Sequence, residues 1–323
     1  MTTPTSETTA PAAAGATTPT RGYTLCSVGA GSAYNQMQAA VFTASQENGL
    51  PAGYTAFLPL AGAGAVAAYN STTGDADVYA VPAAGQGFGA SSGSQSPGAG
   101  FDALLPFTLG GQPMALGYSS SSGTVQFFGV SGTTLTARNT FAAGSGMTTV
   151  LPFLDWDGST AGGTYLLCYD MNSGAVAIYQ LTASGGGVQA TKAWSPSEPW
   201  AEGWTRFGLF QYGPENFFIK TNVKYGTVFI DHIMDEPSQG THPAQEHLPL
   251  PLDLTAVATF TLLGDPCFAT YLANSGAATF NRFRGDLTGW TEGAQATAVT
   301  GGSLAVSLPS ASSGGSAATL LFY

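Results

Sequence analysis

Tyr118-Ser-Ser-Ser-Ser-Gly123-Thr-Val-Gln-Phe127 decides the fold of this 323-residue chain, because the stretch keeps coming back. Its glycine has counterparts at Gly22, Gly74, Gly174, Gly226 and Gly276, giving steps of 52, 49, 51, 52 and 50 residues. Five residues earlier, Tyr69, Tyr118, Tyr169 and Tyr271 hold an aromatic column that Thr221 breaks. A period near fifty with a fixed internal offset marks one supersecondary unit repeated around a closed architecture. Apolar residues fall at about every second position after the glycine, as in Ala175-Val-Ala-Ile178 and Thr227-Val-Phe-Ile230. That alternation belongs to strands. The glycine closes a hairpin, where a residue without Cβ reaches positive φ cheaply.

A further strand precedes each unit: Tyr54-Thr-Ala-Phe-Leu-Pro-Leu60, Phe101-Asp-Ala-Leu-Leu-Pro-Phe107, Met147-Thr-Thr-Val-Leu-Pro-Phe153, Trp204-Thr-Arg-Phe-Gly-Leu-Phe210, Leu254-Thr-Ala-Val-Ala-Thr-Phe260 and Leu304-Ala-Val-Ser-Leu-Pro-Ser310. The period suits a four-stranded propeller blade. The sixth copy stops at Tyr323 in its second strand. Its third strand stands at the other end, as Gly22-Tyr-Thr-Leu-Cys-Ser-Val28, followed by a fourth around Met37 to Thr43. The expectation is an all-β, six-bladed propeller over residues 21–323, with four-stranded blades and a ring closed by N- and C-terminal strands sharing one blade. Such closure removes two exposed sheet edges.

Composition adds constraints. Gly at 44 residues is about double ordinary usage, as a turn-dense β fold requires. Charged residues make up only 8% of the chain, and the net charge is −11. A surface of that sign repels nucleic acid and anionic lipid, so neither is expected as a partner. No stretch has the length and apolarity of a membrane span, and no basic start with an apolar core marks a secretory leader. Cytoplasmic residence and export without a cleavable signal stay open. Residues 1–20, rich in Thr, Ala and Pro, are expected to be a disordered tail; the sharper alternative is a tether docking the ring to a larger assembly. Cys26, Cys168 and Cys267 offer no disulfide framework or metal spacing, and Cys26 falls in an apolar column with Val78, Phe127, Ile178, Ile230 and Phe280.

Asp155-Trp-Asp-Gly158-Ser159 lies between the first two strands of the third copy. It resembles the Asp-x-Asp-Gly calcium loop of FG-GAP repeat proteins, the integrin-type propellers. The resemblance implies Asp155 and Asp157 as Ca²⁺ ligands, and a role in binding or adhesion rather than chemistry. No third carboxylate follows in Ser159-Thr160, so a plain acidic turn is the favoured alternative, with no cofactor. The fourth copy owns all three histidines, His232, His242 and His247. The stretch Asp235–His247 reads as a solvated loop, in preference to a metal or acid–base cluster of His242, Glu246 and His247.

Aromatic placement is more suggestive. Trp194-Ser-Pro-Ser-Glu-Pro-Trp200-Ala-Glu-Gly-Trp204 joins the third copy to the fourth, where lectin-like propellers build their pockets. Sugars stack C–H faces on rings while carboxylates take hydroxyls, so Trp194, Glu198, Trp200, Glu202 and Trp204 form a candidate ligand site. The competing reading is that the tryptophans seal a blade interface. Trp156, Trp204 and Trp290 share no repeat column, unlike the repeated pockets of fucose-binding propeller lectins. Three function classes follow: a non-enzymatic binding module for a glycan or protein, an assembly subunit, and, third, a propeller hydrolase.

Overall fold

The computed structural model describes residues 19–30, 37–43, 49–60, 62–83, 85–154, 163–222, 224–234, 237–249, 251, 253–308 and 317–323. Among these, six four-stranded antiparallel sheets form the blades. Blade one comprises Ala56–Leu60, Ala65–Tyr69, Ala76–Ala80 and Gly93–Gln95. Blade two comprises Ala103–Leu109, Gln112–Ser119, Thr124–Ser131 and Thr134–Ala142; blade three Thr149–Leu154, Thr164–Tyr169, Val176–Ser184 and Gly187–Trp194. Blade four is Arg206–Tyr212, Glu215–Asn222, Thr227–Ile233 and Thr241–Pro249, and blade five Ala256–Leu262, Asp265–Leu272, Ala277–Phe283 and Trp290–Thr297. First strands lie side by side in chain order, and that of the sixth blade returns to that of the first. They surround a central cavity of about 480 Å³ lined by such residues as Pro59, Pro106, Pro152 and Leu209. No helix among the described residues is long and apolar enough to cross a membrane.

The sixth blade is assembled from both ends of the chain. Ala305–Leu308 and Ala317–Phe322 continue into Thr24–Ala30 and Met37–Thr43, with Thr24 opposite Phe322 and Gly29 opposite Ala317. Leu25, Cys26, Val28, Leu320 and Leu321 are all buried at this seam. A two-residue pairing of Thr20–Arg21 with Leu50–Pro51 carries Thr20 into the folded ring. Residues 1–18, the bulk of the expected tail, lie outside the described residues.

The glycine column has a reason beyond hairpin closure. Gly74, Gly123, Gly174 and Gly276 have φ of +81°, +69°, +71° and +73°. Each also accepts a backbone hydrogen bond from the connection leaving the fourth strand, as Gly174 does from Trp200 N–H at 2.9 Å. A Cβ on Gly174 would run into the Trp200 carbonyl, and one on Gly74 would stand 2.6 Å from Ala99 N. Gly22 departs from the column. It has no positive φ, because the chain ends replace the hairpin there.

The tyrosine column latches consecutive blades. Tyr69, Tyr118, Tyr169, Tyr271 and Tyr323 are all fully buried. Their hydroxyls donate to the carbonyls of Gly98, Gly144, Ala201, Val299 and Pro51 in the next connection. The same oxygens of Tyr69, Tyr118, Tyr169 and Tyr271 accept N–H from Phe101, Met147, Trp204 and Gly302 at the head of the next first strand. One side chain thus satisfies two backbone groups that burial would otherwise leave costly. The next residue helps: Thr55, Asp102, Thr148 and Thr255 accept N–H from Ser71, Ser120, Met171 and Ala273.

One expectation about the strands needs correction, while the reading of the cysteines stands. Thr241–Pro249 is not a loop but the outer strand of blade four, pairing His242 with His232 across two bulges. Thr241, Pro243 and Gln245 take its half-buried positions, so the apolar alternation that identifies strands in a sequence is lost, and its prolines point the same wrong way. The three cysteines are buried and free, and burial pushes each thiol up to about 12, which leaves them inert packing groups.

Candidate functional site

Backbone bonds set the path of the connection from blade three to blade four. Trp200 N–H reaches Gly174, Gly203 N–H donates to Met171 O at 2.9 Å, and Tyr169 Oη holds Ala201 O at 2.8 Å. Trp204 follows at the head of blade four and is only 4% exposed. Its indole lies 4.8 Å from the Phe229 ring. Trp200 is half-buried, 5.6 Å from Tyr169 and stacked on Phe218 at 5.8 Å. Trp194 ends the outer strand of blade three and packs into the same hydrophobic cluster. Gly240 approaches the Trp194 indole so closely that a Cβ there would collide with it. Glu198 and Glu202 are exposed on the connection.

At the centre of this group stands a residue that motif reading missed. The Lys220 ammonium lies 4.3 Å from the Trp200 ring centroid, 4.8 Å from Trp204, 5.4 Å from Phe229 and 5.8 Å from Phe218. It donates to Asp231 Oδ2 at 2.7 Å, and the two side chains are 6% and 2% exposed. Burial pushes the Lys220 ammonium down, partly offset by the Asp231 charge; burial pushes the Asp231 carboxyl up, partly offset by Lys220. Among the described residues, Asp231 Oδ1 has no hydrogen-bond partner. The signal was in the repeat. Positions equivalent to Lys220 are Ala68, Gly117, Cys168 and Thr270, and those equivalent to Asp231 are Tyr79, Phe128, Tyr179 and Asn281. Blade four alone among these places two opposite charges there.

The structure therefore brings Trp200 and Trp204 together around Lys220, keeps Trp194 in their cluster, and leaves Glu198 and Glu202 in solvent. Asp155 and Asp157 lie outside the described residues. His232 and His242 are cross-strand partners in blade four, yet the three side chains have separate surroundings: His232 stacks on Phe217 with its Nε2 3.7 Å from Glu215, His242 Nδ1 sits 2.8 Å from Pro243 O, and His247 packs edge-on against Phe229. Among the described residues, no group of three or more His, Cys, Asp or Glu is placed to hold a metal ion.

No protein-family model matches the chain, and no curated protein does. Similar solved structures include a functionally unknown protein from Desulfotomaculum acetoxidans, at 11% identity over 84% of this chain and 79% of that one, with a TM-score of 0.49. A protein from Lactobacillus plantarum is 10% identical over 88% of this chain and 98% of its own, at a TM-score of 0.49. The WD40 domain of SCAP from fission yeast is 12% identical over 76% of this chain and 57% of its own, at 0.40. Likenesses this distant carry no functional argument, and the ring rests on the chain's own sheet order: this is a six-bladed β-propeller.

Proposed function

We propose that the protein is a non-enzymatic binding module, lectin-like or adhesive, that takes a neutral glycan or a protein segment on the connection between blades three and four. The observation that carries this reading is Trp200. Its indole is half-buried and held by Tyr169, Phe218 and Lys220, so little side-chain freedom is left to lose on binding. Glu198 and Glu202 flank it in sequence and stand in solvent, where carboxylates can accept hydrogen bonds from hydroxyls. Ring faces paired with such acceptors suit a sugar better than an anion. The central cavity supports the non-enzymatic part. Asp102 is the only carboxylate among its described lining residues, and Ser120 occupies it through both N–H and Oγ at 2.6 Å.

A glycan array followed by calorimetry on the strongest hit tests the reading. Trp200→Ala is expected to abolish binding, while Trp204→Ala lowers stability by about 3–5 kcal/mol as a core truncation does. Binding that survives Trp200→Ala, or an array with no hit, overturns the glycan reading. A second reading is an assembly subunit docked through residues 1–20, and one contact fixes where such a tail would leave the ring. Ala52 N–H donates to Pro19 O at 2.8 Å, tying the start of the described chain to the rim of the sixth-to-first blade junction.

A further inference from the structure

Lys220 and Asp231 stand on neighbouring antiparallel strands of blade four. Lys220 lies opposite Phe229, and Asp231 is two residues further along, so both project from the same face. We propose that these two side chains condense into an intramolecular isopeptide bond, Nζ to Cγ, that staples the second and third strands of blade four. This assignment is independent of the ligand reading above.

Four features of the site support it. The reacting groups are already in contact, with Nζ 2.7 Å from Oδ2, and both are buried. Groups held so near gain an effective molarity on the order of 10⁵–10⁸ M, which lowers the barrier to their reaction. Trp200, Trp204, Phe218 and Phe229 wall the ammonium, keeping bulk water from the bond that would form. Among the described residues Asp231 Oδ1 accepts no hydrogen bond, and Lys220 is the main group favouring the charged carboxylate, with a smaller contribution from His242. Burial displaces both groups towards their neutral states, which are the ones that react.

The step balances without an outside reagent. One proton passes along the 2.7 Å hydrogen bond from Nζ to Oδ2, giving a neutral amine and a neutral carboxylic acid. The amine lone pair adds to Cγ, a second Nζ proton moves to the hydroxyl oxygen, the Cγ–O bond breaks, and water leaves. A neutral amide then replaces two buried charges, removing a desolvation penalty that an ion pair recovers only in part. Blade four is also the blade where Thr221 stands in place of a latching tyrosine, so a covalent staple falls where the repeat lacks its usual fastening.

Intact-mass measurement on the purified full chain decides the matter. The expected result is a protein one water lighter than its sequence, with the full sequence mass restored in both Lys220→Arg and Asp231→Ala. Tryptic mapping of the unfolded wild type should lose cleavage at Lys220 and yield peptide 207–224 joined to peptide 225–282. A wild type at full sequence mass that releases peptide 207–220 overturns the proposal. So does a water loss mapped to any other residue. The wild-type map is decisive by itself if either variant fails to fold.

Discussion

Blades three and four show how much one repeat position governs. Blade three ends its second strand on Tyr169, whose hydroxyl joins Ala201 O and Trp204 N–H and so locks the next blade in place. Blade four has Thr221 at that position, fully buried, with an Oγ1 that finds no partner. The second strand of blade four instead carries Lys220, and the third strand Asp231. Among the described residues, the other buried side-chain atoms without a hydrogen-bond partner, Asn222 Oδ1, Thr227 Oγ1, Asp231 Oδ1 and His232 Nε2, lie in this blade too. A repeat can therefore lose its latch and keep its shape. Ridge packing of Phe217, Ile219, Val228, Ile230 and Phe268 holds the blade, and its polar positions are released from the common pattern. Departure from a repeat is where specialised chemistry gathers.

The seam of the sixth blade is where a change costs the ring most. Deleting residues 21–45 removes two strands of the sixth blade together with buried Leu25, Cys26 and Val28, a loss comparable with the about 5–15 kcal/mol that holds a whole domain. That truncation is expected to aggregate or to lose its cooperative melt, while deletion of residues 1–18 leaves the melting temperature nearly unchanged. Equal melts for the two would deny that the termini share a blade.

Next in size is Asp231→Ala, which strands Lys220 among four rings whether the wild-type groups are ion-paired or joined by the bond proposed above. Breaking a buried pair from one side costs about 3–5 kcal/mol, measured as a fall in the denaturant midpoint. A neutral result would mean that the ammonium escapes to solvent and that blade four is held without the pair.

The latch itself is sharpened by two small changes. Tyr169→Phe removes an oxygen serving a carbonyl and an N–H, and is expected to cost about 1–3 kcal/mol. Thr221→Val removes a buried hydroxyl with no partner and should be neutral or slightly stabilising by thermal melt. If Thr221→Val costs as much as Tyr169→Phe, blade four has a latch of its own.

The smallest expected effect is at Asp155 and Asp157. Saturating Ca²⁺ should leave the melting temperature unmoved, and so should the double change to Asn. A calcium-dependent rise that the double variant abolishes would establish the metal loop through preferential binding to the folded chain.

Blade number, ring closure and the Cys26 column were legible because they repeat, and a period declares itself without any knowledge of contacts. The purpose of the glycines was only half legible. Positive φ follows from the hairpin, but the approach of the next connection, visible at Gly174 and Trp200, is a tertiary fact. The outer strand Thr241–Pro249 was misread because Thr241, Pro243 and Gln245, rather than aliphatic side chains, fill its half-buried positions. At the candidate site, Trp200 and Trp204 stood out by residue type. Lys220 and Asp231 did not, since eleven residues separate them and only strand register sets them face to face.

The seam has a consequence for how the protein is made. More than 280 residues separate Ala30 from Ala317, and translation at about 5–20 residues per second takes roughly fifteen seconds to a minute to cover them. Through that interval Thr24–Ala30 has no second strand to pair with. Its Leu25, Cys26 and Val28, buried in the finished ring, stay open to solvent on a chain with little charge to keep neighbours apart. On a crowded polysome, several such strands wait at once, each complementary to the Ala317–Phe322 segment of any copy completed ahead of it. The same pairing that closes one ring is thus able to thread two nascent chains together, and the yield of monomer should fall as translation outpaces closure.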